Sequence, residues 1–251
     1  MKPYLSIITV TFNAQRTLPI TLRSVRQQTW KDWEHILVDG ASTDGTVELI
    51  RAYAQDNPKV RWISEPDEGI YDAMNKGISM AQGEFLVFLN AGDSFWESRT
   101  LEELFAKAPP EADFLYGEHR YVNEKGEVLP RRRHRPYPQR ELRAEHFRTG
   151  MVICHQAMIV RRQLVLPYDP SVKVGSEIDW VIRILRKNPH TYDSQMVLIR
   201  YLVGGHTERH IWRQIWNRTR LVYRHFGVSA VLESWGAMVL HKLRGGYPSP
   251  V

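Results

Sequence analysis

The sequence predicts an α/β fold in which helices flank a mostly parallel sheet, with a helical extension at the C-terminal end. Three observations predict it. Short β-branched runs alternate with amphipathic stretches through the first ninety or so residues. The runs do not alternate apolar and polar, and EFLVFLN is near-continuously apolar, as strands covered on both faces are. Polar residues gather just after the strand ends, where open α/β sheets bind ligands.

Taken in order, Tyr4–Val10 (YLSIITV) reads as a buried strand, and residues 16–28 set Leu18, Leu22 and Val25 at helical spacing. Trp33–Asp39 reads as a second strand, and Gly45–Asp56 as a helix with Val47, Ile50 and Ala54 on one face. Val60–Ser64 is a short strand, Ile70–Ala81 repeats the helical period, and Glu84–Asn90 is a near-continuous apolar strand. The pattern then weakens. Asp113–Glu118 and Tyr121–Asn123 read as short strands with a turn at Gly126, and Val152–Val160 as a strand carrying His155 and Gln156. Residues 130–150 read as an Arg/Pro-rich loop, either over a site or simply on the surface. Glu177–Leu185 is an amphipathic helix opened by Gly175 and Ser176, and His210–Phe226 and Ser229–Leu243 are helical in a basic background.

A chain of 251 residues, 43% apolar and 25% charged, can bury a sizeable core, which excludes disorder throughout. The expected division is a catalytic domain at 1–205, with halves 1–95 and 96–205, and a basic helical extension at 206–251. Cys154 is the one cysteine, so no internal disulfide forms, and it reads as a small buried apolar residue. The N-terminal apolar run is too short for a signal peptide, and no stretch of about 18 apolar residues can span a bilayer. The expected location is the cytoplasm, with peripheral contact to the inner face of the plasma membrane left open.

The net charge of +6 is unevenly placed. Nine arginines against Glu141 and Glu145 give residues 131–162 a net of +7, and residues 206–251 carry +5, so the rest of the chain is near −6. Two basic segments on an acidic body suit an anionic partner as well as they suit solvated surface.

The loop VDGASTDGT lies between a strand and a helix, yet neither GxGxxG nor GxxxxGK[ST] is present. Asp39, at its strand end, can accept hydrogen bonds from a base or ribose. Asp93 follows a glycine and is placed as a hard oxygen ligand for a divalent cation.

SIITVTFNA, ILVDGASTDGT, SEPDEGIYDAMNKGI and AQGEFLVFLNAGD, in this order, resemble the family 2 glycosyltransferases of GT-A fold, with its Rossmann-like sheet. The likeness is dense over about the first 95 residues, and EPDEGIYDAMNKG in particular resembles enzymes that build bacterial surface polysaccharides. The resemblance implies inverting transfer of a sugar from a nucleotide-sugar, UDP-linked, to the hydroxyl of a saccharide or lipid-linked acceptor. It implies nucleotide-sugar contacts at Thr9, Thr11, Asp39, Ser42, Asp44, Asp67, Lys76 and Asn90, with Ser42 and Asp44 supporting their loop. It implies a Mg or Mn ion at Asp93, helped by His206, and an acceptor side at His155 and Gln156. In SEIDWVIRIL, Glu177 takes the base position and Asp179 is a supporting acid. The chain departs from many relatives at Gly92 (Asp in them), Thr11 (Pro) and Glu177 (Asp). A nucleotidyltransferase and a nucleic-acid-binding module are the rival readings. The first lacks a basic Gly-rich loop after strand one, and the second lacks stacking or recognition-helix motifs, so no nucleic acid is expected as a partner.

Overall fold

The computed structural model describes residues 2–130, 141–172, 175–204 and 211–243. Within them the chain runs β1 (Leu5–Thr11), α1 (Leu18–Arg26), β2 (Trp33–Asp39), α2 (Thr46–Gln55), β3 (Val60–Ser64), α3 (Ile70–Met80) and β4 (Phe85–Phe88). It continues with β5 (Ser94–Phe95), α4 (Thr100–Lys107), β6 (Phe114–Val122), β7 (Met158–Arg161), α5 (Ser176–Leu185), β8 (Thr191–Leu202) and α6 (Ile211–Leu243).

The strands form one sheet in the order β3-β2-β1-β4-β7-β6-β8-β5. β3, β2, β1 and β4 are parallel, β7 runs antiparallel between β4 and β6, and β8 is parallel to β6. Every residue of β1 and β2 is buried, which is why their sequences do not alternate apolar and polar, and why their polar residues, such as Ser6 and Glu34, are hydrogen-bonded to each other inside the sheet. Ile8, Val10, Ile36 and Val38 face a layer with Met74 of α3 and Trp180 of α5. Leu5 and Ile7 face the opposite layer, with Leu101 and Leu104 of α4. Neighbouring residues therefore stabilise opposite faces, each fully buried Leu or Ile contributing about 1.5–3 kcal/mol.

Three expected strands change here. Residues 113–118 and 121–123 are parts of the single strand β6, and the strand expected over 152–160 shrinks to β7. His155–Ala157 is instead a 3₁₀ turn leading into it. The short β5, α4 and the long β8 had no counterpart in the sequence reading. β8 hides because Gln195 takes a φ of 53° while its N–H bonds Asp193 Oδ1 at 2.9 Å. That irregularity shifts the register against β6 and interrupts the inside-outside alternation. The expected pair of C-terminal helices is present: α6 is two helical segments that meet at a non-helical kink at Gly227 (φ 77°).

Candidate active site

The carboxyl ends of β1, β2 and β3 stop level with one another. Thr11 pairs in register with Asp39, and Asp39 with Ser64, so three polar side chains stand in a row. The Asp39 carboxylate is fully buried, at 0% exposure. It accepts from Thr11 Oγ1 (3.0 Å), Ser64 Oγ (2.7 Å), Ser42 N (2.9 Å) and the Ser42 hydroxyl. Those four donors match its four lone-pair sites. Asp39 thus braces the edge and offers no open face.

The next shell ties the loop after β1 to the loop after β2. Asn13 N donates to Ser42 Oγ (2.8 Å), Gln15 N to Asp44 Oδ2 (3.0 Å), and Thr43 N to Asn13 Oδ1 (2.9 Å). Asp44 also receives the N–H of Thr46 at 3.0 Å, capping α2 from just outside it.

Asp67 stands at the open side of this frame. Its Oδ2 occupies the space that a β-carbon on residue 40 would need, with the Phe12 ring 3.4 Å from the same point. Only glycine at 40 lets that carboxylate in. Asp67 Oδ1 accepts from Gly69 N (2.8 Å), and Phe12 is 67% exposed, a large aromatic face lying open at the strand ends. Phe12 escaped the sequence reading because one aromatic between two polar residues carries no periodic signal.

Lys76 folds back onto its own loop. Its ammonium donates to Pro66 O (2.8 Å) and pairs with Glu65 (2.9 Å), with Asp72 a longer ion pair at 3.6 Å, so it is held by its own loop and helix. Thr9, expected among the nucleotide-sugar contacts, lies inside β1. Its hydroxyl is fully buried, donates to Leu89 O at 2.6 Å and lies 3.0 Å from His35 Nε2, so it joins strands and cannot reach a nucleotide.

Asp93, 4% exposed, accepts from Leu202 N and from Gln156 Nε2, each at 2.9 Å. Burial pushes its carboxyl up to about 7 against those two hydrogen bonds. Gly92 before it has a φ of 104°, and a β-carbon there would lie 2.8 Å from Leu202 Cδ2. An Asp at this position would therefore be strained by the backbone itself. Among the described residues no three His, Cys, Asp or Glu side chains converge on a metal position. Asp93 still keeps one lone pair on each oxygen, and the buried Asn90 Oδ1 has no partner. Two hard oxygens on one loop fit a magnesium-type ion that completes its shell with substrate phosphates. His206 lies outside the described residues.

His155 and Gln156 are also corrected. His155 packs on Phe88 (5.0 Å between ring centres), lies 2.6 Å from Tyr168 Oη, and is lowered to about 3 by burial. Gln156 is buried against Asp93. Neither presents a polar group to an acceptor.

At the start of α5 the two acids part company. Asp179 is buried and bound by Arg183 Nε (2.6 Å) and His225 Nε2 (2.8 Å). Burial acts to raise its carboxyl, but the His225 and Arg183 hydrogen bonds outweigh that and hold it below the ordinary range. Glu177 is half-buried, and burial raises its carboxyl although Tyr71 Oη donates to it at 2.6 Å. A carboxylate of raised proton affinity suits general-base work, and one pinned between a guanidinium and an imidazole does not.

The sheet order, with polar groups gathered beyond the carboxyl ends of β1, β2 and β3, is that of the GT-A class of fold. Solved structures agree. The structure of S. aureus TarS 1-349 in complex with UDP superposes with a TM-score of 0.67 at 17% identity, covering 92% of this chain and 70% of that one. Mannosyltransferase PcManGT from Pyrobaculum calidifontis, in complex with GDP-Man and Mn2+, superposes at 0.65 with 16% identity, covering 99% and 77%. The PGL/p-HBAD biosynthesis glycosyltransferase of Mycobacterium tuberculosis (strain ATCC 25177 / H37Ra) is 35% identical over 72% of this chain and 69% of its own length. TuaG of Bacillus subtilis (strain 168), named for teichuronic acid biosynthesis, is 25% identical over 89% and 88%. The family described as Glycosyl transferase family 2 matches residues 6–166. The chain belongs to that family and is a glycosyltransferase.

Proposed function

We propose that the chain moves a sugar from a nucleotide-sugar, UDP-linked, to an acceptor hydroxyl with inversion. The observation that carries this reading is Glu177, a half-buried acid of raised proton affinity on the element that Tyr71 joins to the Asp67 loop. The Phe12 face would carry the base, and Asp67 Oδ2 would accept a hydrogen bond from its edge. Glu177 takes the acceptor proton as the acceptor oxygen bonds to the anomeric carbon. The bond from that carbon to the diphosphate breaks, and the nucleoside diphosphate leaves. Asp93 and Asn90 Oδ1 would hold a divalent cation, Mg or Mn, that offsets charge on the departing diphosphate. UDP-GlcNAc in a second TarS structure and GDP-Man with Mn2+ in PcManGT support a nucleotide-sugar and a cation. The names of the relatives support bacterial surface polysaccharide or glycolipid assembly as the setting, with a saccharide or lipid-linked acceptor.

The test is a panel of UDP-, GDP- and dTDP-sugars, read by nucleoside diphosphate release and by mass of the product, with Mg, Mn or EDTA. Release from at least one sugar nucleotide is expected. Pyrophosphate release from a nucleoside triphosphate and a sugar phosphate, with no diphosphate from the panel, would establish a nucleotidyltransferase instead.

Among the described residues no helix is long and apolar enough to cross a membrane. Peripheral contact with an anionic membrane surface is part of the same proposal. Val228, Leu232, Trp235 and Val239 recur at helical spacing along α6 and are all exposed, Leu232 at 65%, as is Trp216 at 70%. Pelleting with anionic rather than neutral liposomes at low salt is expected, and equal pelleting with both removes the membrane contact.

A further inference from the structure

The segment GIYDAMNKG remains largely unexplained by nucleotide binding, because Lys76 is occupied by its own loop. Two of its residues look elsewhere. Tyr71 and Asn75, one helical turn apart on α3, both face the second half of the chain. Asn75 Nδ2 donates to Tyr168 O (3.0 Å), and its Oδ1 accepts from Tyr168 N (2.7 Å). Tyr71 stacks on the Tyr168 ring with centres 5.3 Å apart, and Tyr168 stacks in turn on Trp180 of α5 at 5.4 Å. The Tyr71 hydroxyl accepts from Gly175 N (2.9 Å) and Ser176 N (3.1 Å) and donates to Glu177 Oε2 (2.6 Å). One phenol oxygen thus satisfies two otherwise unpaired N–H groups of the helix start and orients the acid of the first turn.

We propose that Tyr71 is the positioning residue for Glu177, fixing the start of α5 to α3 and aiming the carboxylate. This rests on the general-base reading of Glu177. Because α3 follows the Asp67 loop directly, one short rigid element sets both the nucleotide side and the base. Such a tie holds reacting groups at a fixed separation, where a shift of about 1 Å costs on the order of 10²-fold in rate.

The donated hydrogen bond favours the ionised form of Glu177, so its loss raises the acid's proton affinity. Among the described residues, Tyr168, before α5, and Cys154, before β7, are the other titratable groups that interact electrostatically with Glu177. Burial, foremost, holds the first well above its ordinary value and the second at about 12, so both stay neutral while Glu177 titrates.

The experiment uses the full chain as wild type, Tyr71→Phe, Glu177→Gln, and a protein with 3-fluorotyrosine at 71, a stronger donor of nearly the same shape. Two readouts are taken: ¹³C titration of the Glu177 carboxyl, which needs no substrate, and the pH profile of nucleoside diphosphate release. Tyr71→Phe is expected to lower kcat about 10-fold, leave the donor KM unchanged and move the acid limb and the ¹³C midpoint to higher pH. The 3-fluorotyrosine protein moves both to lower pH and remains informative if Tyr71→Phe fails to fold. Loss of turnover in Glu177→Gln, with no movement of limb or midpoint in either Tyr71 protein, overturns the positioning role alone. Normal turnover in Glu177→Gln overturns the base reading and this proposal with it.

Discussion

The edge formed by β1, β2 and β3 and the start of α5 are built on different principles. At the edge, Thr11, Asp39 and Ser64 are neighbours because their strands pair in register, and each sits at the end of a strand that its own sequence defines. Around α5 the partners come from afar: Tyr71 lies 106 positions before Glu177, and Leu202 lies 109 after Asp93. Regular sheet pairing delivers the first set. Loops and caps must close correctly to deliver the second. The lesson is that a family motif names the groups in a site, whereas the partners decide which group is free to react.

Glu177 is where that contrast breaks most forcefully. Glu177→Gln is expected to keep donor binding and slow transfer by about 10³-fold, the scale of a positioned base. Asp179→Asn should leave a far larger share of turnover in a protein that unfolds more easily. Rates that fall in the reverse order would exchange the roles of the two acids.

Asp39→Ala tests the edge. It strips the acceptor from the Thr11, Ser42 and Ser64 hydroxyls and from Ser42 N, with an expected loss of about 3 kcal/mol in urea unfolding. A stability close to wild type would show that the row of hydroxyls repacks without it.

A smaller loss, about 2 kcal/mol, is expected for His225→Ala, since Asp179 keeps Arg183. Hydrogen exchange should then quicken along α6 and α5 while β1 and β2 stay protected. Uniform exchange would mean that the two regions open together.

The smallest effect is one that both regions share. His35 in β2 and His155 before β7 are each lowered by burial to about 3, from 6.5 in an open chain. Between those values the unfolded chain binds protons that the folded one refuses, so this stability is whole above pH 6.5 and fades as the pH falls. Asp93, raised by burial to about 7 from 3.8, works in the opposite sense over that window. Glu177, also raised by burial, adds to the opposing side above pH 4.5, so the two histidines leave a net decline below about 1 kcal/mol per pH unit. Thermal midpoints from pH 6.5 down to pH 4 should show it, and Asp93→Asn should steepen it. A flat profile would contradict the neutral state of the two histidines.

Legibility in the sequence followed the same division. The strand-helix alternation to β4 could be read because each element is short, apolar or amphipathic, and closed by polar residues. Asp39, Ser42 and Asp44 could be read as a group because a strand end and a helix start fix their relative places. β8 was invisible because of the break at Gln195, and with it went the partner of Asp93. Thr9 and His155 misled for a common reason: a polar residue inside a strand or turn looks like a ligand group until its partner is known, and Leu89 O and Tyr168 Oη are those partners. Tyr71 had no signal of its own, because a tyrosine on the inner face of a helix reads as core.

Gly92 carries a consequence for how many acids this turn can hold. A second acid there would have to adopt a φ of 104° with its β-carbon 2.8 Å from Leu202 Cδ2. The positive φ strains any side chain at 92 whatever the space around it, and the Leu202 methyl would also have to swing aside. An acid placed there would give up backbone stability for a second oxygen ligand, so the single acid at 93 leaves the turn before it free of strain.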